Sequence, residues 1–120
     1  MASSEEGQVI GCHSLDAFKY YMEKSNEPNQ LVVINFTATW SGPCRLITPV
    51  VAELAKEFPQ VIFIKVDVDE LRTVSIDFRV DGMPTFLFVK EGIIVDGVVG
   101  ARVEELKSKT NLHSAVTSSA

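Results

Sequence analysis

The sequence predicts an α/β fold of three layers, in which a mixed five-stranded sheet lies between four helices. Residues 31–37 and 61–66 are nearly continuous runs of apolar and β-branched residues, which is typical of strands buried on both faces. Segments with apolar residues at helical spacing separate these runs, so the predicted order is β-α-β-α-β-α-β-β-α. The alternating part requires parallel strands with helical crossovers, and the two last strands form a hairpin.

The first helix is predicted between a short strand at 9–12 and a turn at 26–29. Ser14 is a suitable N-cap, because its side chain can accept a hydrogen bond from the first helical turn. Apolar residues recur after it at the spacing of one helical face. They are Leu15, Phe18 and Met22.

The second helix is predicted to follow the central strand. Pro43 suits its first turn, Pro49 falls inside its apolar pattern and predicts a kink, and Phe58-Pro59 ends it. The residues expected to face the sheet are Ile47, Val50, Val51, Leu54 and Phe58.

The C-terminal half is predicted to hold a short helix, a β-hairpin and a final helix. Glu91-Gly92 is a tight-turn signal between two apolar strands. Gly97 and Gly100 are expected to loosen the segment that follows the second of these strands. The predicted helices and strands are 69–78, 86–89, 93–96 and 102–112.

The composition indicates one domain, because 46% of the 120 residues are hydrophobic and can form a core. We therefore interpret 1–120 as a single domain with flexible ends at 1–7 and 114–120. The net charge of −5 argues against nucleic acid as the main partner. No apolar run reaches the roughly 18 residues of a membrane span, and the polar N-terminus is unlike a signal peptide. We expect a cytoplasmic protein without a membrane partner.

The two cysteines, Cys12 and Cys44, are expected to be thiols, because a chain without a secretion signal seldom carries structural disulfides. Cys12 is either a small buried hydrophobe or an exposed thiol that links dimers or accepts a glutathione cap. His13 and His113 lie near opposite ends of the chain and are expected at the surface. No Cys/His cluster has the spacing of a zinc site, so we expect no metal.

Two motifs carry a resemblance to a known family. Trp40-Ser41-Gly42-Pro43-Cys44 after the second strand, with Met83-Pro84-Thr85 before the fourth, resembles the thioredoxin family over nearly the whole chain. Residues 5–13, 36–38 and 65–71 are similar to its plant h-type branch. The resemblance implies the thioredoxin fold, exchange between dithiols and protein disulfides, and no bound cofactor. It also implies thioredoxin reductase or the glutathione/glutaredoxin system as electron donor.

The resemblance further implies roles for single positions. Ser41 stands where the family has its exposed nucleophilic cysteine, and Cys44 matches the resolving cysteine one helical turn later. Asn35 stands where the family has a buried carboxylate, and Lys65 matches the lysine near it. The implied substrate groove contains Trp40, Gly42, Pro43, Met83, a cis Pro84, Gly100 and Ala101.

Ser41 is expected to impair this chemistry, because the exchange begins with attack by a thiolate. A serine hydroxyl stays protonated near neutral pH unless a base activates it, and no His or Asp in the sequence is evidently placed to do so. One interpretation is a crippled or repurposed catalytic position. The other is a helix N-cap, where serine is favoured.

Asn35 is a second departure, since an amide cannot titrate and cannot act as a general base. We expect it to be a hydrogen-bonded amide in the core. Lys65 lies within an apolar strand and is expected to be buried, with water or a nearby aspartate as its partner. Natural divergence and engineered substitution both explain the two changes.

Two functions therefore remain open. One is an impaired oxidoreductase, in which Cys44 retains weak monothiol chemistry or is a quiet buried thiol. The other is a binding module that holds extended protein segments in the groove around Trp40 and Pro84. In either case we expect a monomer or a weak dimer.

Overall fold

The computed structural model describes residues 6–115, so the predicted flexible ends at 1–7 and 114–120 lie outside it except for residues 6, 7, 114 and 115. Ser114, which is expected in the flexible C-terminal end, lies instead in the last helix. The helices and strands follow the predicted order. They are β1 (Val9–Cys12), α1 (Leu15–Lys24), β2 (Leu31–Thr37), α2 (Gly42–Glu57), β3 (Ile62–Asp67), α3 (Arg72–Asp77), β4 (Thr85–Lys90), β5 (Ile93–Val99) and α4 (Val103–Ser114).

The five strands form one mixed sheet in the order β1-β3-β2-β4-β5. β1, β3 and β2 are parallel, whereas β4 and β5 run antiparallel to their neighbours. β2 lies at the centre, and its residues from Leu31 to Phe36 are all buried. The carboxyl ends of the three parallel strands therefore meet at one edge of the sheet, where β2 leads into α2.

Each face of the sheet has its own hydrophobic core, which confirms the three layers. On one face α2 and α4 cover side chains of β2, β3 and β4, including Val33, Phe63 and Phe86. On the other face α1 and α3 cover Ile34 and Val66, among others. Adjacent residues of a strand point to opposite faces, so a two-sided core requires the continuous apolar runs seen in the sequence.

α1 is capped as predicted, because Ser14 Oγ accepts a hydrogen bond from Ala17 N at 3.1 Å. Its inward face is different from the predicted one. Phe18 and Tyr21 are buried, whereas Leu15 is 45% exposed. Leu15 is the first residue of the helix, and the stripe that contacts the sheet begins one turn later.

α2 begins at Gly42 with Pro43 in its first turn and continues past Pro49, as the apolar pattern predicted. The C-cap is Phe58, whose backbone N–H donates to Leu54 O at 2.8 Å. α3 is shorter than predicted. Residues before it form a turn instead, in which Asp69 N donates to Asp67 Oδ1 at 2.8 Å. Such local side-chain hydrogen bonds compete with helix formation.

The predicted hairpin is confirmed, since Glu91 and Gly92 both have positive φ angles, 53° and 74°. The prediction that the last strand ends at 96 and that Gly97 loosens the segment after it is wrong. β5 continues to Val99, which pairs with Thr85 of β4, and Gly97 pairs with Leu87. Pairing with a neighbouring strand outweighs the low intrinsic strand preference of glycine.

An ion-pair cluster around Asp96 fixes α4 to β5. Lys109 Nζ lies 2.9 Å from Asp96 Oδ1, and His113 Nε2 lies 2.8 Å from Asp96 Oδ2. A hydrogen bond from Lys109 and a second, smaller contribution from His113 lower the pKa of Asp96 to about 2. His113 is thus not the surface residue expected from the sequence, since only 19% of its side chain is exposed.

The stability that Asp96 confers is expected to depend on pH. Its pKa in the folded chain lies below the ordinary value of 3.8. Its contribution is therefore present above that value and is lost as the pH falls toward 2. Because water screens this partly exposed cluster, the lowered pKa contributes about 1–2 kcal/mol, somewhat less than the full shift would give. Asp96→Asn should be less stable than the parent at neutral pH and should lose less stability on acidification, as measured by urea unfolding at several pH values.

Asp77→Asn is the matched control, because Asp77 is exposed and has no ion pair within residues 6–115. The free energy of unfolding of Asp77→Asn should equal that of the parent at every pH. Parallel stability curves for Asp96→Asn and the parent would contradict the assigned role.

Candidate active site

Ser41 lies between β2 and α2 and is the N-cap of α2. Its φ and ψ angles are −93° and 120°, and its Oγ accepts a long hydrogen bond of 3.4 Å from Cys44 N. The N-cap interpretation is thereby confirmed. The side chain is only 6% exposed, whereas the resemblance implies an exposed position. Within the described part of the chain, no histidine or carboxylate forms a hydrogen bond with Ser41 Oγ.

Both thiols are buried. Cys44 lies in the first turn of α2 and is 2% exposed, in agreement with the shielded position of a resolving cysteine. Cys12 ends β1 and packs in the core beneath α1 and α3, which confirms the buried interpretation and excludes an exposed thiol in this conformation.

Asn35 differs from its expected state. It lies on the sheet face that α2 covers, and it is 5% exposed. Its Oδ1 accepts no hydrogen bond from any residue between 6 and 115, so the prediction of a hydrogen-bonded amide is wrong. The reason is its surroundings, since its antiparallel partner is Phe86 and Val33 precedes it on the same face. An unpaired buried acceptor of this kind costs about 1–3 kcal/mol.

Lys65 also differs from its expected state, because it is exposed instead of buried. It lies in register between Asn35 of β2 and Gly11 of β1. The His13 ring occupies the space beside Gly11, since a Cβ on Gly11 would lie 2.8 Å from His13 Nε2. Lys65 forms no ion pair with any other residue of the described range.

The predicted groove residues lie in three segments, which are the motif at the start of α2, the residues before β4 and the residues after β5. The Met83–Pro84 peptide bond is cis, as predicted, and Gly100 N donates to Pro84 O at 2.7 Å. Gly100 has a φ of 98°, which favours glycine. Trp40 is 65% exposed, so it is not a core residue, and its place in the groove stays a prediction. The remaining predicted members are partly or fully exposed, namely Gly42, Pro43, Met83 and Ala101.

The sequence reasoning missed how Trp40 is held. Trp40 Nε1 donates to Asp69 Oδ2 at 2.9 Å, which fixes an exposed aromatic ring in one orientation. The acidic residues after β3 were the only signal in the sequence for this hydrogen-bond acceptor. No sequence pattern indicates that Asp69 contacts a tryptophan 29 positions earlier.

A second concave site lies at the carboxyl ends of β1, β2 and β3 and at the first turn of α2. Its volume is about 560 Å³, and we call it the rear cavity. It contains none of the predicted groove residues. Within the described residues, no group of three or more side chains could hold a metal ion. The lining residues are Cys12, His13, Thr37, Ala38, Thr39, Cys44, Arg45, Thr48, Lys65, Asp67 and Glu70.

Comparisons with known proteins agree with this geometry. A family model described as thioredoxin matches residues 9–112. Thioredoxin H-type 1 of Nicotiana tabacum is 55% identical over 113 residues, which are 94% of this chain and 90% of that protein. Thioredoxin H1 of Arabidopsis thaliana is 52% identical over 113 residues, which are 94% and 99% of the two chains.

Solved structures give the same result. The crystal structure of thioredoxin NaTrxh from Nicotiana alata has a TM-score of 0.85 and 42% sequence identity, covering 94% of this chain and 98% of that one. None of the helices between residues 6 and 115 combines the length and the hydropathy that crossing a bilayer requires.

Proposed function

The chain belongs to the thioredoxin family, and from this premise we propose that it is a disulfide oxidoreductase by descent whose dithiol turnover is impaired. The observation that carries the proposal is the state of Ser41. Its side chain is buried at the N-cap of α2, and no described base is hydrogen-bonded to it. The hydroxyl therefore has no means of activation and serves the helix instead.

Dithiol exchange needs two sulfurs that act in turn. The first thiolate attacks a substrate disulfide and forms a mixed disulfide, and the second thiol resolves it. Here the first position holds an oxygen, and Cys44 is the resolving thiol. The motif therefore has no internal redox couple. Any remaining sulfur chemistry is monothiol chemistry at Cys44.

Asn35 affects the second step. A buried carboxylate at this position can accept a proton from the resolving thiol, whereas an amide cannot. Lys65 lies in register with Asn35 and lacks a carboxylate partner among the described residues. Of the two groups implied in resolving the mixed disulfide, the carboxylate is replaced by Asn35, and Lys65 has no carboxylate partner among the described residues.

The partners within this proposal are protein disulfides, with thioredoxin reductase or the glutathione/glutaredoxin system as electron donor, in a cytoplasmic monomer or weak dimer without a resident cofactor. The test is reduction of insulin disulfides by the parent chain, with dithiothreitol or reductase and NADPH as the source of electrons. We expect a rate equal to that of the same mixture without the protein. Sustained catalytic turnover would overturn the proposal.

A binding module is the second candidate, and the exposed, fixed ring of Trp40 supports it. Because Asp69 holds Trp40 Nε1, the ring is ordered before a ligand arrives, and less conformational entropy is lost on binding. The resemblance implies an apolar surface that Trp40 shares with Met83, Pro84 and Ala101, of which Met83 and Ala101 are partly or fully exposed and Pro84 is buried. Such a surface can hold an extended segment without any sulfur chemistry.

Trp40→Ala is expected to weaken this binding about tenfold or more, since an aromatic side chain that becomes buried against a bound ligand commonly contributes that much. The measurement is calorimetric titration with reduced, carboxymethylated insulin B chain, which cannot form a disulfide. Tyr20→Ala is the matched control, because Tyr20 is a half-exposed aromatic residue on α1, outside the groove. Equal affinities for the parent and Trp40→Ala would exclude the groove as the binding site.

A further inference from the structure

We propose that the thiol of Cys44 reacts through the rear cavity, with small disulfides that carry both carboxylate and ammonium groups. The inference rests on the proposed function, since it concerns the chemistry left to a chain with Ser41 at the first position. Cys44 is 2% exposed, yet it belongs to the lining of this cavity. None of the residues predicted for the substrate groove lines the rear cavity. A disulfide can therefore approach the motif from either of two separate sides.

The position of the rear cavity is that of a ligand site. In sheets with parallel strands, ligands bind outside the carboxyl ends of the strands. Cys12, Thr37 and Asp67 are the last residues of β1, β2 and β3, and all three line the cavity. The first turn of α2 adds Cys44 and Arg45.

The size of the cavity selects small molecules. A volume of about 560 Å³ lies within the usual range of sites for small ligands. Its rim is exposed at His13, Arg45 and Lys65, while Cys44 is buried. A disulfide within a folded protein would have to bring its surrounding backbone into this space. A free disulfide of two short peptides or amino acids would not.

Two cations at the rim lack a carboxylate partner within residues 6–115. Arg45 Nη1 donates to the carbonyl of Thr39 at 2.9 Å and makes no ion pair. Lys65 makes none either, and its neighbour in register is the neutral Asn35. Both cations are therefore available to carboxylates of a ligand.

The opposite charge is present in the same cavity. Asp67 lines it and accepts a backbone hydrogen bond from Asp69 without pairing with a described cation. Glu70 lies 2.9 Å from His13 Nδ1 and is already engaged. Asp67 is thus the acceptor for a ligand ammonium group, and the set of charges fits a zwitterion better than a simple anion.

The reaction balances with the disulfide as oxidant. The thiol of Cys44 loses its proton, and its sulfur attacks one sulfur of the small disulfide as the sulfur–sulfur bond breaks. A new disulfide joins Cys44 to one half of the molecule. The other half leaves as a thiolate and takes up a proton. One disulfide and one thiol are consumed, and one disulfide and one thiol are formed.

The experiment compares two probes on the reduced parent chain. Glutathione disulfide is the zwitterionic probe, and bis(2-hydroxyethyl) disulfide is the neutral one. Peptide mass spectrometry locates the adduct, and each rate is divided by the rate of a free cysteine peptide. We expect an adduct at Cys44 and a higher normalised rate with glutathione disulfide. Lys65→Gln should lower this preference about threefold, in keeping with the loss of one exposed charge contact.

Lys107→Gln is the matched control, because Lys107 is exposed on α4 and does not line the cavity, yet its loss changes the net charge equally. Its preference should equal that of the parent. The proposal is overturned by an adduct at Cys12 alone, by no adduct with either probe, by equal normalised rates, or by an unchanged preference in Lys65→Gln. The assay measures a stoichiometric adduct at Cys44 and not insulin turnover. Insulin turnover by the parent would therefore overturn the proposed function, and the adduct measurement would still decide between the two probes.

Discussion

Ser41→Cys is expected to raise the rate of insulin-disulfide reduction on the order of 10³-fold or more, the scale on which removal of a catalytic nucleophile lowers turnover. Position 41 already lies at the N-cap of α2, where the side chain accepts a hydrogen bond from Cys44 N. A sulfur at this point would receive the same hydrogen bond and the positive end of the helix dipole. Both favour the thiolate.

The matched control is Ser41→Ala, which removes the cap without adding sulfur. It should lower the free energy of unfolding by about 1 kcal/mol and leave the insulin assay at background. Activity in Ser41→Ala equal to that in Ser41→Cys would show that sulfur at this position is not what the reaction needs. An inactive Ser41→Cys of normal stability would place the main defect elsewhere in the site.

The parts of the fold that follow from local signals were predictable from the sequence. β2 is an example, because a strand buried on both faces requires an almost continuous apolar run, which only Asn35 interrupts among its six buried positions. Ser14 and Ser41 are others, since a cap depends on residues within one turn. The turn at Glu91-Gly92 belongs here too, because it depends on the conformations of two adjacent residues.

The errors concern residues whose state is set by distant parts of the chain. The glycine at position 97 predicts a loosened segment, but its state is decided by pairing with Leu87. The apolar strand neighbours of Lys65 predict burial, whereas the structure places it beside Gly11 of β1 and leaves it exposed. Neither partner can be assigned without knowing the strand order and register.

The candidate site divides in the same way. The motif and the cis Pro84 were predicted, because the resemblance places each at a definite position. The contact of Trp40 with Asp69 and the place of Arg45 in the rear cavity were missed. These depend on how the carboxyl ends of three strands and one helix meet, which a single sequence does not state.

Asn35→Asp, introduced beside Ser41→Cys, is expected to accelerate resolution of the mixed disulfide about 10²-fold over Ser41→Cys alone, the usual contribution of a placed general base. The introduced carboxylate would lie in register with Lys65 on the face covered by α2. It must be deprotonated to accept the proton of Cys44, and the gain should therefore increase with pH until the carboxyl group is fully ionised. Insulin turnover and accumulation of the mixed disulfide, followed by mass spectrometry, are the two measurements.

The single variant Asn35→Asp separates this role from a general effect on the fold. It should not gain insulin turnover, because with Ser41 present no mixed disulfide forms at the first position. It should lower the free energy of unfolding by roughly 2 kcal/mol at neutral pH, since a buried charge replaces a neutral amide. If both variants with Ser41→Cys accumulate the mixed disulfide equally, Asn35 does not limit resolution. Because the two positions act in successive steps, the gain from Asn35→Asp should depend on sulfur at position 41, and a double-mutant cycle measures that dependence.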